Sequence, residues 1–288
     1  VVDRHGGDER PPRRTPHNGA PHRGPRQQSR GNQQRAGAPR TSGPNRARRA
    51  QPRHDDARPD HRLEAEASAP SIPPEIEANQ LDPEIRRELI TLDRFSADEV
   101  ARRLVAAGEL LDVDPEAALA HARAARARAA RIAVVREAVG IAAYHCGDWA
   151  QALAEFRAAR RMGSRSVLLP LIADCERGVG RPERAIELSR TPEAEALTGD
   201  DADELRIVVA GARSDLGQHE QALLELSGPH LNPARKGQTA ARLFYAYAET
   251  LLALGRRDEA LEWFIRAAGA DLEGATDAED RVTELSGQ

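Results

Sequence analysis

Aromatic residues are scarce in this 288-residue chain, with two Trp, three Tyr and four Phe. Lysine is scarcer, with Lys236 alone, and Met162 is the single methionine. Two cysteines, Cys146 and Cys175, without a CxxC pair exclude a disulfide framework and fit a reducing cytoplasm. No apolar run approaches the roughly 20 residues needed to span a bilayer, so no membrane association is expected. The first 62 residues contain no Leu, Ile, Met, Phe, Tyr or Trp at all. A segment with nothing to bury does not offset the entropy of ordering, so residues 1–74 are expected to form a disordered Arg/Pro/Gly-rich tail. The Arg13-Arg14 pair is followed by no apolar stretch, which argues against a twin-arginine or other signal peptide.

Charge is divided unevenly. Residues 1–62 hold 15 Arg against 6 Asp and Glu, a surplus of +9, while the rest of the chain, with 27 basic and 40 acidic residues, carries −13. That pattern is a basic tail on an acidic body.

What is present in the body, residues 75–288, is a repeat. Pairs of Ala with Leu or Ile recur at Ala118-Leu119, Ala152-Leu153, Ala185-Ile186, Ala222-Leu223 and Ala260-Leu261, spaced 34, 33, 37 and 38 residues apart. Twelve residues before each pair stands a small residue: Ala106, Gly140, Ala173, Ala210 and Ala248. Five residues before the last four pairs stands a glycine: Gly147, Gly180, Gly217 and Gly255. Small residues facing each other let two helices approach closely, and apolar positions three or four apart give each helix a buried stripe. A glycine between helices takes the left-handed cap conformation at little cost. Pro115 and Pro182 fit a first helical turn, and Asp114 and Asp148 fit N-caps.

Ser96 and Glu99 form a capping-box pattern expected to open the first unit. Between Pro115 and Tyr144 only the repeat period places a turn, near 129–131. Pro192 and Pro229 are expected to shorten their second helices. Asp82-Pro83 is expected to start a short helix before the repeats, and a polar helix from about Asp277 to close them.

This spacing resembles the tetratricopeptide repeat (TPR) family over roughly residues 96–270. Gly140, Ala152, Phe156 and Ala159 match the family pattern best, followed by Ala248, Ala260, Phe264 and Ala267. Ala122 stands where the pattern places a bulky residue. The body also resembles uncharacterised TPR proteins of high-GC bacteria, in keeping with its Arg/Ala bias. The resemblance implies an all-α, TPR-like α-solenoid of about five helix pairs with short capping helices.

Catalytic and cofactor motifs are missing: no GxxxxGK[ST], GxSxG, HExxH or EF-hand loop occurs. The densest polar cluster, "YHCGDW" at 144–149, reads as a repeat turn. Cys146 falls in a register held elsewhere by Val179, Leu216 and Leu254, so it reads as an apolar packing residue with no metal partner. The "DVDPE" stretch reads as a turn with an N-cap, because further calcium ligands are lacking. Arg123, Arg126, Arg128 and Arg131 read as a solvated helix face rather than a phosphate-binding stripe, because they spread around the helix. No enzyme activity, cofactor, metal or small-molecule substrate is expected.

TPR proteins bind partners in a groove lined by their first helices. Carried onto this chain, that implies partner contacts from Arg103, Glu137, Tyr144, His145 and Asp174, and from Arg177, Asp215, Arg242, Tyr245 and Glu249. Tyr144, Arg177 and Tyr245 are the foremost, while Glu155, Arg184 and Glu262 are expected on the outward second-helix surface. The Lys/Asn carboxylate clamp known in part of the family has no counterpart here. The expected function is a non-catalytic scaffold or adaptor for a protein or peptide. The alternative is an RNA- or ribosome-associated protein whose arginine-rich tail makes weak, salt-sensitive contacts; the acidic body and the lack of tail aromatics argue against it.

Overall fold

A computed structural model describes residues 70–287. The expected disorder of the tail falls almost wholly outside these residues. Every regular element among the described residues is helical, with thirteen α-helices and two short 3-10 turns.

α1 (Pro83–Glu88) starts as the sequence predicts: Asp82 accepts from the Glu84 N–H, and Pro83 occupies the first turn. Five pairs of longer helices follow. α2 (Arg94–Leu110) lies on α3 (Pro115–Ala129), and α4 (Ala133–His145) on α5 (Trp149–Arg161). α6 (Leu169–Gly178) lies on α7 (Pro182–Leu188), α9 (Gly199–Asp215) on α10 (His219–Leu226), and α11 (Gln238–Ala253) on α12 (Arg257–Ala270). Short connections make such neighbours antiparallel. Each pair also touches the next: α3 packs on α4, α5 on α6, α9 on both α6 and α7, and α11 on both α9 and α10. α13 (Ala278–Ser286) closes on α12.

One turn recurs within four of the pairs. Gly147, Gly180, Gly217 and Gly255 have φ of 71°, 76°, 71° and 76°, a region that costs L-residues with a Cβ strain. The next residue's N–H then reaches back five residues, as Asp148 does to the Ala143 carbonyl at 2.9 Å and Arg256 to that of Leu251 at 2.9 Å. Cys146, Val179, Leu216 and Leu254 are the C-cap residues of these four first helices, the shared register that the sequence indicates.

Other details differ from the sequence reading. α2 begins at Arg94, and its cap is Asp93, which accepts from the Ser96 N–H at 3.0 Å; Ser96 is inside the helix. The capping box at Ser96/Glu99 is therefore absent, because an acceptor three residues earlier takes that N–H, and Glu99 turns to Arg103 and Arg128 instead. Pro192 lies beyond α7 but opens a one-turn helix of its own, α8 (Pro192–Glu195), capped by Thr191. The connection 227–237 is anchored at its far end. Lys236 Nζ donates to the Gly269 carbonyl at 2.5 Å and the Gly237 N–H to that of Ala270 at 3.0 Å, so the sole lysine helps to cap α12. Residues 70–76 are held against α2, where Arg102 Nε donates to the Ile76 carbonyl at 2.8 Å and Arg103 to that of Pro70 at 3.3 Å.

The arginine-rich stretch of α3 is not a simple solvated face. Arg126 and Arg136 both grip Glu155, which is 4% exposed, and Arg123 bonds to Gln151. Glu155 thus lies inside a charged junction between α3, α4 and α5. Its expected outward position is corrected by the two arginines, which compensate the cost of burying its charge. Glu176 between Arg157 and Arg181, and Asp203 between Arg206 and Arg235, repeat the arrangement.

Candidate functional site: a cleft lined by first helices

A part-apolar opening lies where α4, α6, α9 and α11 converge, and it has a volume of about 480 Å³. Ile141, Val167, Pro170, Leu171 and Val208 supply its apolar wall. Tyr144, His145, Asp174, Asp201, Glu204 and Arg242 supply its polar groups. All but Val167 stand on first helices, and Val167 lies in the connection that leads into α6.

The polar groups are largely committed to one another. The Tyr144 hydroxyl donates to Asp174 Oδ2, while Arg177 donates to Asp174 Oδ1 at 2.8 Å. Arg177 continues to Asp215, with Nε at 2.8 Å from Oδ2 and NH2 at 3.3 Å from Oδ1. A continuous chain, Tyr144–Asp174–Arg177–Asp215, therefore ties α4 to α6 and α6 to α9. Gly211 makes room for it, since a Cβ there would lie 2.6 Å from the Arg177 guanidinium carbon. Burial first, and then the bond to Asp174, push the Tyr144 hydroxyl well above the usual tyrosine range, so it stays a donor. Tyr144 also stands edge-on to Trp149, with ring centroids 4.9 Å apart.

Arg242 pairs with Glu204 at 2.9 Å. Burial raises the pKa of Glu204, and Arg242 offsets only part of that cost. Asp201, in the exposed first turn of α9, has no ion pair among the described residues. His145 Nδ1 lies 3.8 Å from Asp112 at the cleft edge.

Of the ten residues assigned to a groove from the sequence, four line this cleft: Tyr144, His145, Asp174 and Arg242. Arg177 and Asp215 line an adjoining recess beside Trp149. The other four stand elsewhere. Tyr245 packs edge-on to Phe264, and burial, then nearby Asp277, raises its pKa; Glu249 accepts from Arg281 of α13 at 2.9 Å. Glu137 is 8% exposed and accepts from the Ser166 hydroxyl at 2.7 Å, while Arg103 holds Glu99 and Pro70.

Sequence reasoning missed Asp201, Glu204 and the apolar wall. The fourth first helix, α9, runs 17 residues, and Asp201 in its opening turn precedes the aligned unit, whereas Glu204 shares the register of Arg242, 38 residues on, and was passed over. The acidic run "GDDADE" at 199–204 was the available signal.

The cysteines show no reactive setting. Burial pushes Cys175 up to about 12, and burial likewise raises Cys146, so neither is a ready thiolate. No group of three His, Cys, Asp or Glu among the described residues is placed to hold a metal ion. No described helix is long and apolar enough to cross a membrane. No family model and no curated protein matches this chain.

Proposed function

We propose that the chain is a non-catalytic interaction scaffold, a TPR-like α-solenoid that holds a protein or peptide against the surface built by its first helices. The observation that carries this reading is the cleft itself: residues from four successive first helices, far apart in sequence, meet around one part-apolar opening. The repeating glycine turn and the sequential packing of five helix pairs support the TPR-like assignment. The Tyr144–Asp174–Arg177–Asp215 chain acts as internal bracing that holds the binding surface in shape before a partner arrives. Arg177 is accordingly a positioning residue rather than a partner contact. The alternative, RNA association through the arginine-rich tail, rests on residues outside those described.

The test is site-specific photo-crosslinking. A photoreactive phenylalanine analogue is placed in the full chain at Val167 or Leu171, and separately at Arg184 or Glu262 on second helices. Under this reading a discrete protein adduct forms from the first two positions in host lysate and not from the last two. Equal adducts at all four, or adducts only from Arg184 and Glu262, overturn it.

A further inference from the structure

Charge is what distinguishes this cleft from a generic apolar recess. Its apolar wall includes Val167, which is 42% exposed. Around that wall the acids outnumber the bases. Asp174 spends both oxygens on Tyr144 and Arg177. Arg242, the one arginine lining the cleft, is already held by Glu204 at 2.9 Å. Asp201 remains at the rim without a cation among the described residues.

An occupant bearing a carboxylate would face Asp201 and Glu204 and would have to take Arg242 from its partner. Like charges brought together cost more than a rim pair returns. A neutral apolar side chain would fill the wall but leave the rim acids solvated and unpaired. An apolar side chain with a guanidinium or ammonium beside it satisfies both parts. The volume, about 480 Å³, accommodates one bulky side chain and the backbone next to it.

We infer that the cleft takes an aliphatic or aromatic side chain of an extended peptide whose adjacent residue is arginine or lysine, the cation lying on Asp201. This inference rests on the scaffold reading above and assigns the partner's chemistry. It makes Val167 and Leu171 the apolar anchors and Asp201 the selector for a cation.

The probe is a fluorescein-labelled peptide of sequence GSRLRFRSG, titrated with the full chain and read by fluorescence anisotropy. GSELEFESG reverses its charge, and GSRSRSRSG removes its apolar side chains. The expected result is saturable binding of the first probe and binding about tenfold weaker for each of the others. Asp201→Arg and Val167→Ser, both at exposed positions, should each weaken the first probe by about tenfold with an unchanged circular dichroism spectrum. If GSELEFESG binds more tightly and Val167→Ser weakens it, the cleft is a binding site but the inferred chemistry is wrong, and the scaffold reading stands. If GSRLRFRSG binds equally well to both variants, or binds no better than GSRSRSRSG, the inference is overturned. Absence of binding by all three probes also overturns it, while crosslinking at Val167 decides the scaffold reading separately.

Discussion

The first and last helix pairs share a repeat register and solve its packing in opposite ways. In the α2–α3 pair the buried face of α3 is nearly all alanine: Ala118, Ala122, Ala124, Ala125 and Ala129, with Leu119 and His121. In the α11–α12 pair, Phe244 and Phe264 are fully buried, and Trp263 lies against both Phe244 and Tyr247 at centroid distances of 5.4 and 5.0 Å. Ala122 and Phe264 occupy the same repeat position, and both are 0% exposed. In the second pair a Cβ on Gly140 would lie 2.6 Å from the Phe156 ring, so there the facing helix carries glycine, whereas the last pair buries Phe264 with Ala248 in the register of Gly140. Close approach through small residues and filling by one large ring are thus two answers to one spacing.

Reciprocal substitutions break that comparison most directly. Phe264→Ala should cost about 3–5 kcal/mol, because it leaves a cavity that its neighbours only partly fill. Ala122→Phe should cost about 1–3 kcal/mol or more by overpacking the buried cluster it forms with Ala107, Ala118 and Leu119. Urea denaturation measures both. A neutral Ala122→Phe would show that the first pair is not close-packed.

The two pairs also differ in how they hold charge. Glu155, against the first pair, is buried between Arg126 and Arg136, whereas Glu249 of the last pair meets Arg281 with its side chain 40% exposed. Glu155→Gln should cost about 1–3 kcal/mol, since it removes the charge that two part-buried arginines face. Glu249→Gln should stay below about 1 kcal/mol. Comparable losses in urea would mean that burial does not govern these pairs.

Helix entry is a smaller contrast. Asp114 caps α3 by accepting from the Ala117 N–H at 3.0 Å, while Arg256, at the same place before α12, makes no side-chain cap. Asp114→Ala should cost about 1 kcal/mol. Arg256→Ala should leave the thermal midpoint within error, which a melt of both variants would check.

The smallest expected effect is a slope in pH. His121 is 2% exposed with Nδ1 unpartnered, and burial, then nearby Arg103, lowers its pKa below the ordinary 6.5. The folded state therefore refuses a proton that the unfolded chain accepts. Its contribution to stability is fully present above 6.5 and declines as pH falls from there through the depressed folded-state pKa. His121→Leu should flatten stability across that window. An unchanged slope would put the pH dependence on other groups.

Helix pairing, the glycine turns and the caps at Asp82, Asp114 and Asp148 were legible because each is a local rule, readable from residues within one turn. The cap of α2 was misread because Asp93 and Ser96 both suit an N-cap and only the backbone path chooses. The groove assignment was legible in part. Register says which residues share a helix face but not which of them find partners on the neighbouring pair. Arg177 shows this: its sequence position marks a surface arginine, and Asp174 and Asp215, the latter 38 residues away, take up its guanidinium.

By itself the sequence determined the helical period, the turns and the division of charge along the chain, because these follow from side-chain spacing and backbone preference. Only tertiary structure decided which charges became buried junctions and which stayed on the surface. Glu155 and Glu262 look alike in the sequence, yet Glu155 is enclosed between two arginines from neighbouring helices and Glu262 is 67% exposed. Desolvation of a carboxylate depends on what the neighbouring helices place over it, and for Glu155 those neighbours, Arg126 and Arg136, stand 29 and 19 residues away in the chain.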